Sequence, residues 1–188
     1  MKRKKPDLST IIFAILIILM IVPQTRMPIH EGISKIRMVL FSPSEIDKDE
    51  QIPLRPFTYR LTALDGTPAN VEIGEGNVTF LSYWATWCPP CRAELPSIQE
   101  LYNDYGDKVD FVLITHEDPK VIQTFLDKKQ YDIPVVLPQM NTPASLLERT
   151  IPTNYVIDKK GKVVIKEQGA TDWNSEKMRS TLDALIGE

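Results

Sequence analysis

From Phe57 onward the chain switches repeatedly between two spacings of apolar residues, contiguous runs and recurrences every three or four positions. The runs predict buried strands, and the recurrences predict amphipathic helices. "FTYRLTALDGTPANVEI" predicts a strand, a turn at Asp65-Gly66 and a second short extended piece, together an N-terminal β-hairpin. "VTFLSYW", Val78 to Trp84, follows as a core strand. Leu95, Ile98, Leu101, Tyr102 and Tyr105 then recur at helical spacing, which predicts a helix from about Pro89 to Tyr105 ended by Gly106.

The alternation continues to the C-terminus. "VDFVLIT" predicts a buried strand, and "EDPKVIQTFLDKKQ" a helix capped by Asp118 with Pro119 at its first position. A strand-helix-strand unit of this kind implies a parallel pair. "IPVVLP" predicts a short strand, and "NTPASLLERT" a short helix capped at Asn141 or Thr142. "TNYVIDKKGKVVIKEQG" holds two β-rich runs around Lys160-Gly161, an antiparallel hairpin, and "NSEKMRSTLDALIG" closes the chain as a helix ended by Gly187. The order describes an α/β domain, a mixed central sheet flanked by helices on both faces. A chain of 188 residues buries one core of that size.

The front of the chain is different. In "MKRKKPDLSTIIFAILIILMIVPQ" four basic residues, Lys2 to Lys5, precede a mostly apolar run from Leu8 to Val22, the layout of a membrane-targeting segment. No A-x-A-like cleavage pattern stands where the run meets "MIVPQTRMP", so the expectation is an uncleaved anchor helix over residues 8–23, with a cleaved signal as the alternative. At ~1.5 Å per residue the run spans about 22 Å. A hydrocarbon core of ~30 Å then requires snorkelling or local thinning. Residues 1–7 should stay cytoplasmic, which sends the rest across as a single-pass, extracytoplasmic (periplasmic) domain. Residues 24–56 are expected to form a spacer, with one short helix after Gly32 carried by Ile33, Ile36, Val39 and Leu40, and residues 57–188 the domain. Beyond Met27 the chain holds 17 Lys+Arg against 24 Asp+Glu, a balance of −7 that argues against a nucleic-acid partner.

The only two cysteines, Cys88 and Cys91, fall at the junction between the Val78 strand and the Pro89 helix. A structural zinc site needs four ligands, and only His30 and His116 could supplement the pair from distant segments, so no metal is expected. A purely structural bridge closing so small a loop removes little unfolded-state entropy. A redox pair suits the position better. Unpaired N–H groups and the positive end of the helix dipole favour thiolate over thiol, which lowers the pKa of Cys88 below the ordinary ~8.5. Cys88 is then the attacking sulfur, and Cys91, one turn deeper, the resolving one. Pro89 and Pro90 fit a first turn that needs no donors.

The stretch "WATWCPPCRAELP" after a hydrophobic strand, with "TIPTNYVID" about sixty residues later and then "KKGKVV", resembles the thioredoxin superfamily, and within it the membrane-tethered TlpA/ResA branch of extracytoplasmic thiol-disulfide oxidoreductases. The resemblance implies a thioredoxin-like fold with Cys88 as nucleophile and Cys91 as resolving thiol. It implies that Ile151-Pro152 is a cis peptide against the cysteines, where the Ile151 backbone pairs with an incoming chain as an added strand. Trp87 and Pro89 join that substrate-binding surface, and Trp84 aligns with a second family tryptophan that serves packing or function. Where thioredoxins carry a buried acid, this chain has Ser82. Glu94 instead matches a glutamate of the TlpA/ResA branch, able to accept a proton from Cys91 or, alternatively, simply a first-turn acid favoured by the helix dipole.

The function so implied is reduction of specific protein disulfides, among them the haem-attachment cysteines of apocytochromes c, with electrons from a membrane thiol donor and no cofactor beyond the Cys88–Cys91 disulfide. Pro89-Pro90 leaves the direction open, so a disulfide-forming oxidase is the first rival. A peroxidase wants threonine three before its cysteine, whereas Thr86 stands two before Cys88. A non-catalytic thiol- or metal-binding module of the same fold is the rival from another class.

Overall fold

The structure is a computed structural model that describes residues 42–188 apart from 148, together with 7–9, 11–13, 17, 32 and 34. The anchor expected over 8–23 and the short helix after Gly32 fall largely outside the described residues. Among the described residues no helix is long and apolar enough to cross a membrane.

In chain order the elements are β1 (Ile52–Pro53), β2 (Phe57–Tyr59), β3 (Leu61–Ala63), β4 (Val71–Ile73), β5 (Val78–Tyr83), α1 (Pro89–Tyr105), β6 (Val109–Ile114), α2 (Pro119–Lys129), β7 (Val135–Pro138), a single 3-10 turn (Ala144–Leu146), β8 (Thr153–Ile157), β9 (Lys162–Gln168) and α3 (Glu176–Gly187). Seven strands form one sheet in the order β1-β9-β8-β5-β6-β7-β3. β5, β6 and β7 run parallel through the crossovers α1 and α2, and the remaining pairings are antiparallel. This is the mixed α/β sheet that the alternation of periods implies.

β5 is buried over five of its six residues because it is covered on both faces, which is why its sequence reads as a nearly continuous apolar run. On one face Phe80, Phe111, Leu113 and Val156 pack with Leu95, Ile98 and Leu101 of α1, Ile122 and Leu126 of α2, and Leu182 of α3. On the other, Leu81, Val112, Ile114 and Ile157 pack with Tyr59, Ile73, Leu54 and Leu146. All three α-helices therefore share one face, and the expectation of helices on both is corrected. "NTPASLLERT" supplies only the 3-10 turn, with Pro143 in the cap position and no side-chain cap bond. The Thr142 hydroxyl lies 3.4 Å from that of Tyr59 instead of capping a helix, and Leu146 is fully buried.

The second face is closed by the hairpin. β2 and β4 pair as a separate two-stranded ribbon, while β3 between them reaches across to pair with β7 and forms the edge of the main sheet. The Asp65-Gly66 turn is held by Asp65 Oδ1, which accepts from the Thr67 N–H at 2.9 Å and its hydroxyl at 2.7 Å. Chain expected to be spacer also joins the sheet. β1 pairs with β9, the Ile46 N–H donates to the Val164 carbonyl at 2.8 Å, and Leu54 is buried. Ordered packing on the sheet thus begins before Phe57.

Candidate active site

α1 begins at the cysteines for local reasons. Cys88 is its N-cap, with extended backbone, and its Sγ accepts the Cys91 N–H at 3.2 Å. Pro89 and Pro90 occupy the first turn, where a missing N–H costs nothing. Cys88 and Cys91 are joined in a disulfide with a Cα–Cα distance of 5.3 Å, and both are buried. Trp87 beside them is 64 % exposed and projects its ring into solvent.

The strand β8 brings the second half of the site. Ile151-Pro152 is cis, and the Ile151 carbonyl oxygen lies 3.7 Å from Cys88 Sγ. Cys88, Cys91, Pro89, Trp87, Ile151 and Pro152 thus converge where the ends of α1 and β8 meet. Trp84 is buried, 5.9 Å from the Phe125 ring, with the Arg92 guanidinium on that ring at 5.8 Å, and it lines a cleft together with Trp87 and Ile151.

Glu94 points into the core, where it is 1 % exposed. Asn154, two residues past Pro152, donates Nδ2 to Glu94 Oε1 at 3.0 Å and Oε2 at 3.3 Å. Trp173 donates Nε1 to Oε2 at 3.2 Å, and its N–H meets the Ser97 hydroxyl at 3.1 Å. Ser82 is the register partner of Asn154 across β5 and β8, so the position where thioredoxins hold an acid adjoins the one where this chain holds Asn154. Two side-chain donors, making three contacts, meet the demand of a buried carboxylate for hydrogen-bond partners.

Beside the disulfide lies a cleft of about 320 Å³ lined by Tyr83, Trp87, Thr115, Glu117, Leu147 and Ile151 among others. Burial, and next the hydroxyl of Tyr59, push the Tyr83 phenol above the ordinary tyrosine range. His116 also lines this cleft. Among the described residues no group of His, Cys, Asp and Glu is arranged to hold a metal ion.

Sequence reasoning does not find Asn154, Trp173 or Glu117. A polar residue inside the β-rich run after Pro152 is the one available signal, and it points to Asn154.

The sequence from residue 48 to 186 matches the family model described as Redoxin. The chain belongs to the redoxin family. This redoxin is 28 % identical to thioredoxin-like protein YneN of Bacillus subtilis over 73 % of the chain and 80 % of that protein. It is 32 % identical to thiol-disulfide oxidoreductase ResA of Bacillus cereus over 64 % of the chain and 72 % of the relative. With sporulation thiol-disulfide oxidoreductase A of B. subtilis it shares 25 % identity over 67 % and 79 %. The crystal structure of StoA from B. subtilis superposes with a TM-score of 0.53 at 23 % identity, covering 72 % of this redoxin and all of that chain, a likeness of fold. With its Cys-x-x-Cys pair at the head of α1, the redoxin is a protein thiol-disulfide oxidoreductase of the ResA/StoA type.

Proposed function

We propose that this redoxin reduces specific protein disulfides on the extracytoplasmic side of the membrane, tethered by residues 8–23 and recharged by a membrane thiol donor. The observation that carries the reading is the placement of Cys88, an N-cap sulfur held against the carbonyl of Ile151, a residue that with Trp87 also lines a cleft of about 320 Å³. The haem-attachment cysteine pair of an apocytochrome c is the substrate that the resemblance brings. No metal, flavin or nucleotide enters the cycle.

Starting from the dithiol, the Cys88 thiolate attacks one sulfur of the substrate disulfide. That S–S bond breaks, the leaving sulfur takes up a proton, and a mixed disulfide forms. The substrate lies along the Ile151 backbone as an added strand, with Trp87 and Pro89 flanking it and Pro152 holding the loop. Cys91 then gives its proton to the Glu94 carboxylate and attacks Cys88 Sγ. The Cys88–substrate bond breaks, the second substrate sulfur leaves and is protonated as Glu94 gives up its proton, and the Cys88–Cys91 bridge remains. Two electrons and two protons have passed to the substrate. A dithiol donor returns them.

The competing direction, disulfide formation, uses the same atoms in reverse. Trapping the thiols of intact cells with a mass-adding alkylating reagent after acid quench separates the two. A pair that is mostly reduced, and becomes oxidised when the membrane electron supply is removed, supports the reductase; a pair oxidised under both conditions overturns it.

A further inference from the structure

The loop that carries Cys88 is held by a carboxylate far away in sequence. Thr86 donates its backbone N–H to Glu117 Oε2 at 2.6 Å and its hydroxyl to Glu117 Oε1 at 2.7 Å, across 31 residues. Glu117 is itself braced, with the Thr115 hydroxyl 3.4 Å from Oε2 and 3.4 Å from the Glu117 N–H. The helix that follows makes no demand on this carboxylate. Asp118 caps α2 through Oδ1, which accepts the Lys120 N–H at 2.8 Å. Elsewhere in the same loop the Trp84 N–H goes to the Ile114 carbonyl at 3.1 Å and the Cys88 N–H to the Ala85 carbonyl at 3.2 Å. Between β5 and α1, a side chain rather than the backbone is thus the partner of the Thr86 N–H.

We infer that Glu117 is a positioning residue for thiol-disulfide exchange: by clamping both donors of Thr86 it fixes the turn that sets Cys88 against the Ile151 carbonyl and projects Trp87 beside the cleft. The inference rests on the proposed function. A chain substrate must meet Cys88 Sγ and the Ile151 backbone together, so a displaced turn removes the alignment on which the in-line attack depends. A small disulfide needs the sulfur alone. The clamp therefore favours chain substrates over small ones.

The test compares two probes with the reduced full-length protein in detergent: a synthetic peptide carrying an intramolecular disulfide, and a small aromatic nitrobenzoate disulfide. For Glu117→Ala the second-order rate with the peptide should fall about tenfold to a hundredfold, with a clearly smaller loss on the small disulfide. Glu117→Gln, which keeps an acceptor oxygen, should recover part of the difference. Thr86→Val should act in the same direction, and the double variant Glu117→Ala/Thr86→Val should be no slower than Glu117→Ala, because both remove one interaction. Thr86→Val and Glu117→Gln keep the test open if Glu117→Ala does not fold. Equal losses on both probes, or additive effects in the double variant, overturn the clamp while leaving the oxidoreductase intact. A wild-type protein that reduces neither probe overturns the redox reading of the site, and the clamp with it.

Discussion

Asn154 on β8 and Glu94 on α1 meet in the core, the Asn154 amide spanning both carboxylate oxygens at 3.0 Å and 3.3 Å. The contact ties the strand that follows the cis Ile151-Pro152 peptide to the helix that carries Cys91. Asn154→Ala removes that donor from a buried acceptor, which costs ~1–3 kcal/mol where the partner stays buried. Urea unfolding should show the loss. A variant as stable as the wild type would mean that Glu94 finds other partners without cost.

Glu94→Gln keeps the shape of the side chain and removes its capacity to take a proton. General-base assistance is worth roughly 10²–10⁴ in rate. The variant should reduce a peptide disulfide at least about a hundredfold more slowly, and the mixed disulfide with Cys88 should accumulate, since the step at Cys91 is the one affected. Stopped-flow fluorescence with acid-quenched samples measures both. A rate equal to the wild type would leave Glu94 a structural residue.

Gly74 and Gly66 both have positive φ, +82° and +85°, yet their surroundings differ. A Cβ at Gly74 would stand 2.9 Å from the Gly161 Cα, where the ribbon meets the β8–β9 turn, while one at Gly66 would meet nothing within 4 Å. Gly66→Ala should cost about 1–2 kcal/mol from the left-handed backbone alone. Gly74→Ala adds a backbone clash and should lose roughly 3 kcal/mol or more. Equal losses in a denaturant titration would refute the close approach.

Tyr83 sets an expectation on the alkaline side. Its phenol is pushed up by burial and by the Tyr59 hydroxyl, so the folded protein holds this proton more tightly than the unfolded chain, whose tyrosine titrates near ~10. The resulting stability is complete below about pH 10 and is lost as the pH rises above it. Tyr83→Phe should flatten that alkaline decline. Parallel pH profiles of the wild type and the variant, followed by urea midpoint, would contradict it.

How far the sequence discloses this molecule depends on the range of each interaction. β5, α1, β6 and α2 are visible because apolar period, the Asp118 cap and Pro119 are local signals, and the Lys160-Gly161 turn marks β8 and β9 equally well. Cys88, Cys91 and Ile151-Pro152 are legible through the motifs around them. β1 is not, because a two-residue edge strand with exposed Ile52 and Pro53 carries no alternation. The segment around Leu146 misleads because its apolar residues suggest a helix, yet Ala144–Leu146 forms a single 3-10 turn that buries Leu146. The Glu94–Asn154, Glu94–Trp173 and Thr86–Glu117 contacts span 60, 79 and 31 residues, distances over which no local pattern reports.

The most direct test of a dithiol cycle led by Cys88 is a trapping experiment in intact cells. Cys91→Ser should leave Cys88 linked to its partner as a mixed disulfide, visible as a higher-mass band on a non-reducing gel that collapses on reduction and is missing in the Cys88→Ser/Cys91→Ser double variant. A Cys91→Ser protein that is folded and abundant yet captures no partner would contradict the account and leave Cys88–Cys91 a bridge without exchange chemistry.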